Sequence, residues 1–219
     1  MRISERGQVD PFIVMDVMER ARAAEAGGRH IIHMEVGQPA TPAPRGARAA
    51  LTAAMAAEPL GYTVALGLPE LRARIARHYR DWHGIEVDPA RVVVTAGASA
   101  GFVLAFTALF EAGQKVGLGL PGYPSYRHIL KALSLEAAGI ETSMADRFQP
   151  RPDQVGADLD GLILASPSNP AGTMLDRPDL QALVAACHER DVALISDEIY
   201  HGLHYDRPAV SALEITDRA

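Results

Sequence analysis

The chain has 219 residues, 48% of them hydrophobic, a formal charge of −6 and a pI near 5.7, which is enough to bury one large core or one domain with a long arm. The acidic balance, with no basic run anywhere, speaks against a surface built for nucleic-acid phosphates or anionic lipid. Cys187 is the only cysteine, which excludes an intrachain disulfide, and the first residues lack the basic start and apolar run of a signal peptide, so the expected location is cytoplasmic.

In chain order, apolar residues from Phe12 to Ala26 recur loosely at helical spacing and Gly27-Gly28 ends the run, predicting an N-terminal helix. Ile31 to Val36 reads as a short strand, and the prolines from Pro39 to Pro44 exclude a regular element, leaving an extended arm. Helices follow from Arg45 to Ala57 and from Pro69 to Gly84, the second with Leu71, Ile75, His78, Tyr79 and Trp82 on one face. From Arg91 onward, short β-rich runs alternate with helical ones. Strands are expected at Val92–Thr95, Lys115–Leu120, Leu135–Ile140, Gly161–Ala165 and Val192–Ser196, with helices at Ser99–Glu111, Ser125–Leu133 and Pro178–Arg190. This alternation predicts an α/β fold, mainly a parallel sheet with crossover helices. Residues 1–44 form the expected arm and 45–219 the expected domain. Leu180, Leu183, Val184 and Cys187 share one helix face, making Cys187 a core residue, and Asp146–Asp158 is the stretch expected to be flexible.

Chemistry gathers at the ends of the β-rich runs. Asp197 ends an apolar strand, where α/β sheets place ligand-binding groups, although the same aspartate could cap the following turn. Asn169 stands between two prolines just after a strand, so a stiff turn presents its side chain; an ordinary Asx turn is the plainer reading. Gly97-Ala98-Ser99-Ala100-Gly101 follows a β-rich run and opens a helix. It is formally G-x-S-x-G, a hydrolase nucleophile elbow through Ser99, or else a small-residue turn whose backbone N–H groups cradle a phosphate. The mainly helical upstream region and the lack of a His-Gly-Gly run favour the phosphate cradle. No metal-ligand cluster is read.

Ala165-Ser166-Pro167-Ser168-Asn169-Pro170-Ala171-Gly172, followed by Ser196-Asp197-Glu198-Ile199-Tyr200, resembles the cofactor pocket of class I aminotransferases of fold type I, which use pyridoxal 5'-phosphate. The resemblance implies that Asp197 pairs with the pyridine nitrogen and that Asn169 and Tyr200 share the phenolic oxygen. It further implies that Ala98 and Ser99 contact the phosphate and that Tyr123, in Pro121-Gly122-Tyr123-Pro124, stacks on the ring. Gly61-Tyr62-Thr63 matches a segment whose tyrosine reaches the phosphate of the partner subunit, implying a homodimer. Gly37 matches a turn near the substrate carboxylate. The implied reaction is amino transfer from an amino acid to a 2-oxo acid.

The same resemblance calls for a Schiff-base lysine in a Ser-x-Ser-Lys run, and no such run occurs. The 21 basic residues include only two lysines, Lys115 and Lys131, and neither has that context. The reading is therefore the N-terminal part of an aminotransferase, from a truncated or interrupted frame, without its late strands and small C-terminal domain and inactive alone. The run Val92–Thr95 would then lack the neighbours that separate it from the strand ending at Asp197. At about 4.8 Å per strand, this leaves a wide interval or forces re-pairing, with an open edge, an aggregation hazard and marginal stability. The alternatives are a non-catalytic remnant that binds pyridoxal phosphate or dimerises, a carbon–sulfur lyase of the same fold, and a serine hydrolase through Ser99.

Overall fold

The computed structural model describes residues 2–38 and 41–219. The chain divides into two compact units, one comprising Pro11–Leu68 and the other Pro69–Ala219 together with the residues before Pro11.

The smaller unit carries α1 (Ile13–Ala26) and α2 (Arg45–Ala57). Gly28 turns the chain out of α1 at φ +85°, a conformation that suits glycine, while Gly27 N–H and Arg29 N–H return to the carbonyls of Ala23 and Ala24. His33 sits between Glu25 and Glu35, at 3.0 and 2.6 Å. The strand expected at Ile31–Val36 does not form: Ile32 and Met34 are exposed, and the Met34 N–H donates to the Glu35 carboxylate instead of a neighbouring strand. Alternating apolar residues make a strand only where a second backbone accepts them.

The larger unit holds α3 (Pro69–His83), α4 (Ala98–Leu109), β1 (Lys115–Leu120), α5 (Pro124–Ala132), β2 (Glu136–Glu141), β3 (Gly161–Ala165), α6 (Arg177–Glu189) and β4 (Ala193–Asp197). The strands form one all-parallel sheet in the order β2-β1-β3-β4. Alternation along each strand splits the core into two layers. Leu162, Leu164 and Leu194 point to one face and meet Leu180, Leu183, Val184 and Cys187 of α6. Val116, Leu118 and Ile163 point to the other and meet Phe102, Phe106, Tyr126 and Leu130 of α4 and α5. Helices on both faces let the central strands β1 and β3 be apolar on both sides.

Val92–Thr95 is not a strand. The Val92 carbonyl accepts from Arg72 Nε at 2.8 Å, its N–H returns to Pro89, and Val93 and Val94 are exposed. The four-stranded sheet has not re-paired to include this segment. The stretch expected to be flexible, Asp146–Asp158, is instead tied down: Arg147 pairs with Asp176 and Asp179, Asp158 pairs with Lys115, Val155 is buried, and Gln149 is only 3% exposed.

Candidate active site

In a parallel sheet every carboxyl end lies on one edge, and the register puts Ala165 of β3 beside Asp197 of β4. The segments leaving these strands meet the start of α4 around a cavity of ≈ 280 Å³, lined by Ala98, Ser99, Tyr123, Asn169, Asp197 and Tyr200 with Phe102, Tyr126, Pro167 and Ile199. Six of the eight residues singled out in the sequence thus share one cavity. The other two, Gly37 and Tyr62, belong to the smaller unit, where both are exposed.

At one end, Gly97 caps α4 at φ +84° with no side-chain hydrogen bond to the first N–H groups. Open space surrounds the site a Cβ would take at Gly97, so the backbone conformation demands glycine there. The uncapped N–H groups of a 12-residue helix, bordered only by Ala98 and Ser99, form an electropositive end open to an anion.

At the opposite wall, Asp197 uses both carboxylate oxygens. Oδ1 accepts from the Ile199 N–H at 3.1 Å, so the turn-capping reading is correct as far as it goes. Oδ2 accepts from the Tyr126 hydroxyl at 2.5 Å. Burial, and after it the Asp197 carboxylate, push the Tyr126 hydroxyl far above its ordinary value, so it stays protonated as the donor. A carboxylate held in place by a hydroxyl donor still has lone pairs free for a protonated ring nitrogen.

Asn169 and Tyr200 come from different turns, and the Asn169 amide lies 3.5 Å from the Tyr200 hydroxyl. Two donors that converge this closely without a tight bond to each other can share one oxygen of a ligand. The Asn169 turn is held at its base. Gln149 Nε2 donates to the Ala165 and Thr173 carbonyls at 3.2 and 3.0 Å, and the Ser166 hydroxyl accepts from the Leu175 N–H. Tyr123 sits at the N-terminus of α5, its ring edge-on to Tyr126 with centroids 5.4 Å apart.

These groups fit pyridoxal phosphate by chemistry: an anion site at a helix start, a fixed carboxylate for a ring nitrogen, two donors for a ring oxygen, and aromatic walls. Among the described residues no lysine lines the cavity. Lys115 starts β1, at the sheet edge opposite the carboxyl ends, and pairs with Asp158 at 2.9 Å and Glu136 at 3.5 Å. Lys131 is exposed on α5. Tyr126 is the participant that the sequence reading missed. Its signal was its place one helical turn after Tyr123, which aims both rings at the same edge.

A family model for aminotransferase class I and II matches residues 29–218. Valine–pyruvate aminotransferase of Mycobacterium tuberculosis is 45% identical over 207 residues, 93% of this chain and 53% of that protein. The crystal structure of an aminotransferase from the same organism superposes with a TM-score of 0.94 at 44% identity, covering 99% of this chain and 57% of that one. Aspartate aminotransferase from Thermus thermophilus with maleate superposes with a TM-score of 0.92 at 28% identity, covering 98% and 58%. The chain thus spans a little over half the length of the relatives it matches. It belongs to the class I and II aminotransferase family, on the fold that family uses.

Proposed function

We propose that the cavity is a pyridoxal 5'-phosphate site, and that the protein to which this sequence belongs transfers an amino group from an amino acid to a 2-oxo acid. The observation that carries this reading is the convergence of Ala98, Ser99, Tyr123, Asn169, Asp197 and Tyr200 on one cavity at the carboxyl edge of the sheet. When bound, the cofactor supplies an electron sink for charge developing at the substrate's α carbon. Asp197 keeps the ring nitrogen protonated, with Tyr126 holding the carboxylate. Asn169 and Tyr200 donate to the ring oxygen, the N-terminus of α4 with Ala98 and Ser99 binds the phosphate, and Tyr123 packs on the ring. Tyr62 reaches the phosphate of a partner subunit in a homodimer, and Gly37 borders the substrate carboxylate. The similarity to an enzyme named for valine and pyruvate supports small aliphatic amino acids and their 2-oxo acids as substrates. Among the described residues no helix is long and apolar enough to cross a membrane, in keeping with a cytoplasmic amino-acid enzyme.

Amino transfer also needs an amine at the cavity to hold the cofactor and to move a proton at the α carbon. Neither lysine of this chain is there. A second reading therefore applies to the chain by itself: it binds the cofactor reversibly without turning over substrate. The test is absorbance with pyridoxal phosphate before and after borohydride, followed by mass spectrometry. Saturable binding with no reduced lysine adduct is the expected result. An adduct at Lys115 or Lys131 would overturn the inactivity of the chain alone, and no binding at all would overturn the cofactor reading.

A further inference from the structure

Asp197, Ile199 and Tyr200 line the cavity; the residues interleaved with and following them, Glu198 and His201, do not. Both turn into the protein, their side chains only 15% and 10% exposed. Glu198 is a half-buried carboxylate with both oxygens used. Oε1 accepts from the Ser196 hydroxyl at 2.9 Å and the Ala212 N–H at 2.7 Å, and Oε2 accepts from the Ser211 hydroxyl at 2.8 Å. His201 Nε2 lies 3.0 Å from the Ser166 carbonyl. A carbonyl oxygen only accepts, so Nε2 carries the proton. The other nitrogen, Nδ1, faces Glu198 Oε2 at 3.7 Å, beyond hydrogen-bond reach. Burial holds the His201 ring below its ordinary pKa against the pull of Glu198, so Nδ1 presents a lone pair to the carboxylate.

Past β4 the chain enters a turn, with His201 N–H returning to the Glu198 carbonyl and Leu203 N–H to Tyr200. Neither strand nor helix holds this turn in place. Beyond the Ser166 N–H to Asp197 carbonyl bond at the strand end, side chains hold it: the Asn169 amide meets the Tyr200 hydroxyl only at 3.5 Å, while His201 reaches Ser166 and Glu198 reaches Ser211 and Ala212. We propose that Glu198 and His201 are positioning residues: they tie the Asp197–Tyr200 segment to Ser211 and Ala212 on one side and to Ser166 on the other, and so fix the spacing of Asn169 and Tyr200. Their purpose rests on the reading of the cavity as a pyridoxal phosphate site; the clamp itself does not.

The test uses the full chain with Glu198→Ala, Glu198→Gln and His201→Phe, each checked for folding by circular dichroism. The first readout is the affinity for pyridoxal phosphate and the absorbance of the bound cofactor, which reports whether its ring oxygen is ionised. E198A and H201F should bind roughly tenfold more weakly, with the bound spectrum moved toward the neutral ring oxygen because the Asn169–Tyr200 donors have separated. E198Q should bind more tightly than E198A, since glutamine keeps an acceptor for Ser196 and Ala212 and loses only the one for Ser211, whose hydroxyl must turn from donor to acceptor. A residue that merely stabilised the fold would lower the melting temperature without changing the spectrum of bound cofactor or being rescued by glutamine, and that outcome overturns the proposal. If E198A does not fold, H201F decides, because it keeps a ring in the same space and removes the bond to Ser166. If the wild-type chain binds no cofactor, the functional reading fails by itself and Trp82 decides the clamp. It is the single tryptophan, and a Cβ at Gly202 would lie 3.3 Å from its ring. Acrylamide quenching of Trp82 that rises in E198A and H201F supports a released turn, and unchanged quenching overturns the inference.

Discussion

Tyr126 and Cys187 illustrate how burial sets the chemistry of single side chains. Tyr126 donates to Asp197 while its ring packs edge-on to Phe102, with centroids 5.1 Å apart. Tyr126→Phe keeps the packing and removes only the donor, leaving Asp197 with the Ile199 N–H. Urea unfolding should show a loss of about 1–2 kcal/mol; an unchanged midpoint would mean that the bond contributes nothing. Cys187 is fully buried on the core face of α6, and burial pushes its thiol up to about 11. With a folded-state value above the unfolded one, the fold favours the neutral thiol. Its contribution is complete below the unfolded pKa and is lost as pH rises from about 9 to about 11. Comparing Cys187→Ala with wild type across that window should isolate a slope on the order of 2–3 kcal/mol in total. A thiol held neutral this way is a packing group, as its place on the apolar face of the helix predicts.

At the scale of elements, the regular structure that the sequence makes legible is the structure whose partners are also local in pattern. The faces of α6 and α5, and the alternation in β1, β3 and β4, each bury against a layer that exists, and their predicted bounds agree with the observed ones to within one or two residues. Ile31–Val36 and Val92–Thr95 carry the same β-rich composition, and among the described residues no strand pairs with either, so composition alone misleads there. The opposite error occurs between Asp146 and Asp158. Charges and prolines suggest mobility, yet the Gln149 amide secures the loop to Ala165 and Thr173, a contact that no local rule anticipates. Tight packing also decides one glycine inside a strand. A Cβ at Gly161 would lie 2.3 Å from the Phe110 ring, so β3 can cross Phe110 only without a side chain. Gly161→Ala should destabilise the larger unit by about 1–3 kcal/mol, read from thermal unfolding, and the double variant with Phe110→Leu should recover part of the loss.

Viewed whole, the sheet has two unequal edges. β2 ends in Glu136 and Glu141, both exposed, and charge at an edge discourages further pairing. β4 pairs on one side only and carries Leu194 and Ile195 at its centre, while Val93 and Val94 lie exposed elsewhere in the unit. Unpaired backbone beside an apolar surface favours association between chains. Sedimentation velocity should therefore find concentration-dependent association of the isolated chain, and Val94→Lys should reduce it. Purely monomeric behaviour at high concentration would contradict this view of the edge.

By itself the sequence determined the α/β class, most of the helices and paired strands, and the residue types that mark the family, because periodicity and strand-end motifs are local and survive without coordinates. Only the tertiary structure decided that Ala98, Ser99, Tyr123, Asn169, Asp197 and Tyr200 meet in one cavity, that Tyr126 bonds Asp197 there, and that Glu198 and His201 turn away from it toward Ser211, Ala212 and Ser166. Those relations depend on the parallel register that brings β3 and β4 ends side by side and on hydrogen bonds between residues far apart in the chain. The same dependence explains why Val92–Thr95 is no strand, since a ladder needs a second backbone that the segment's own residues cannot supply.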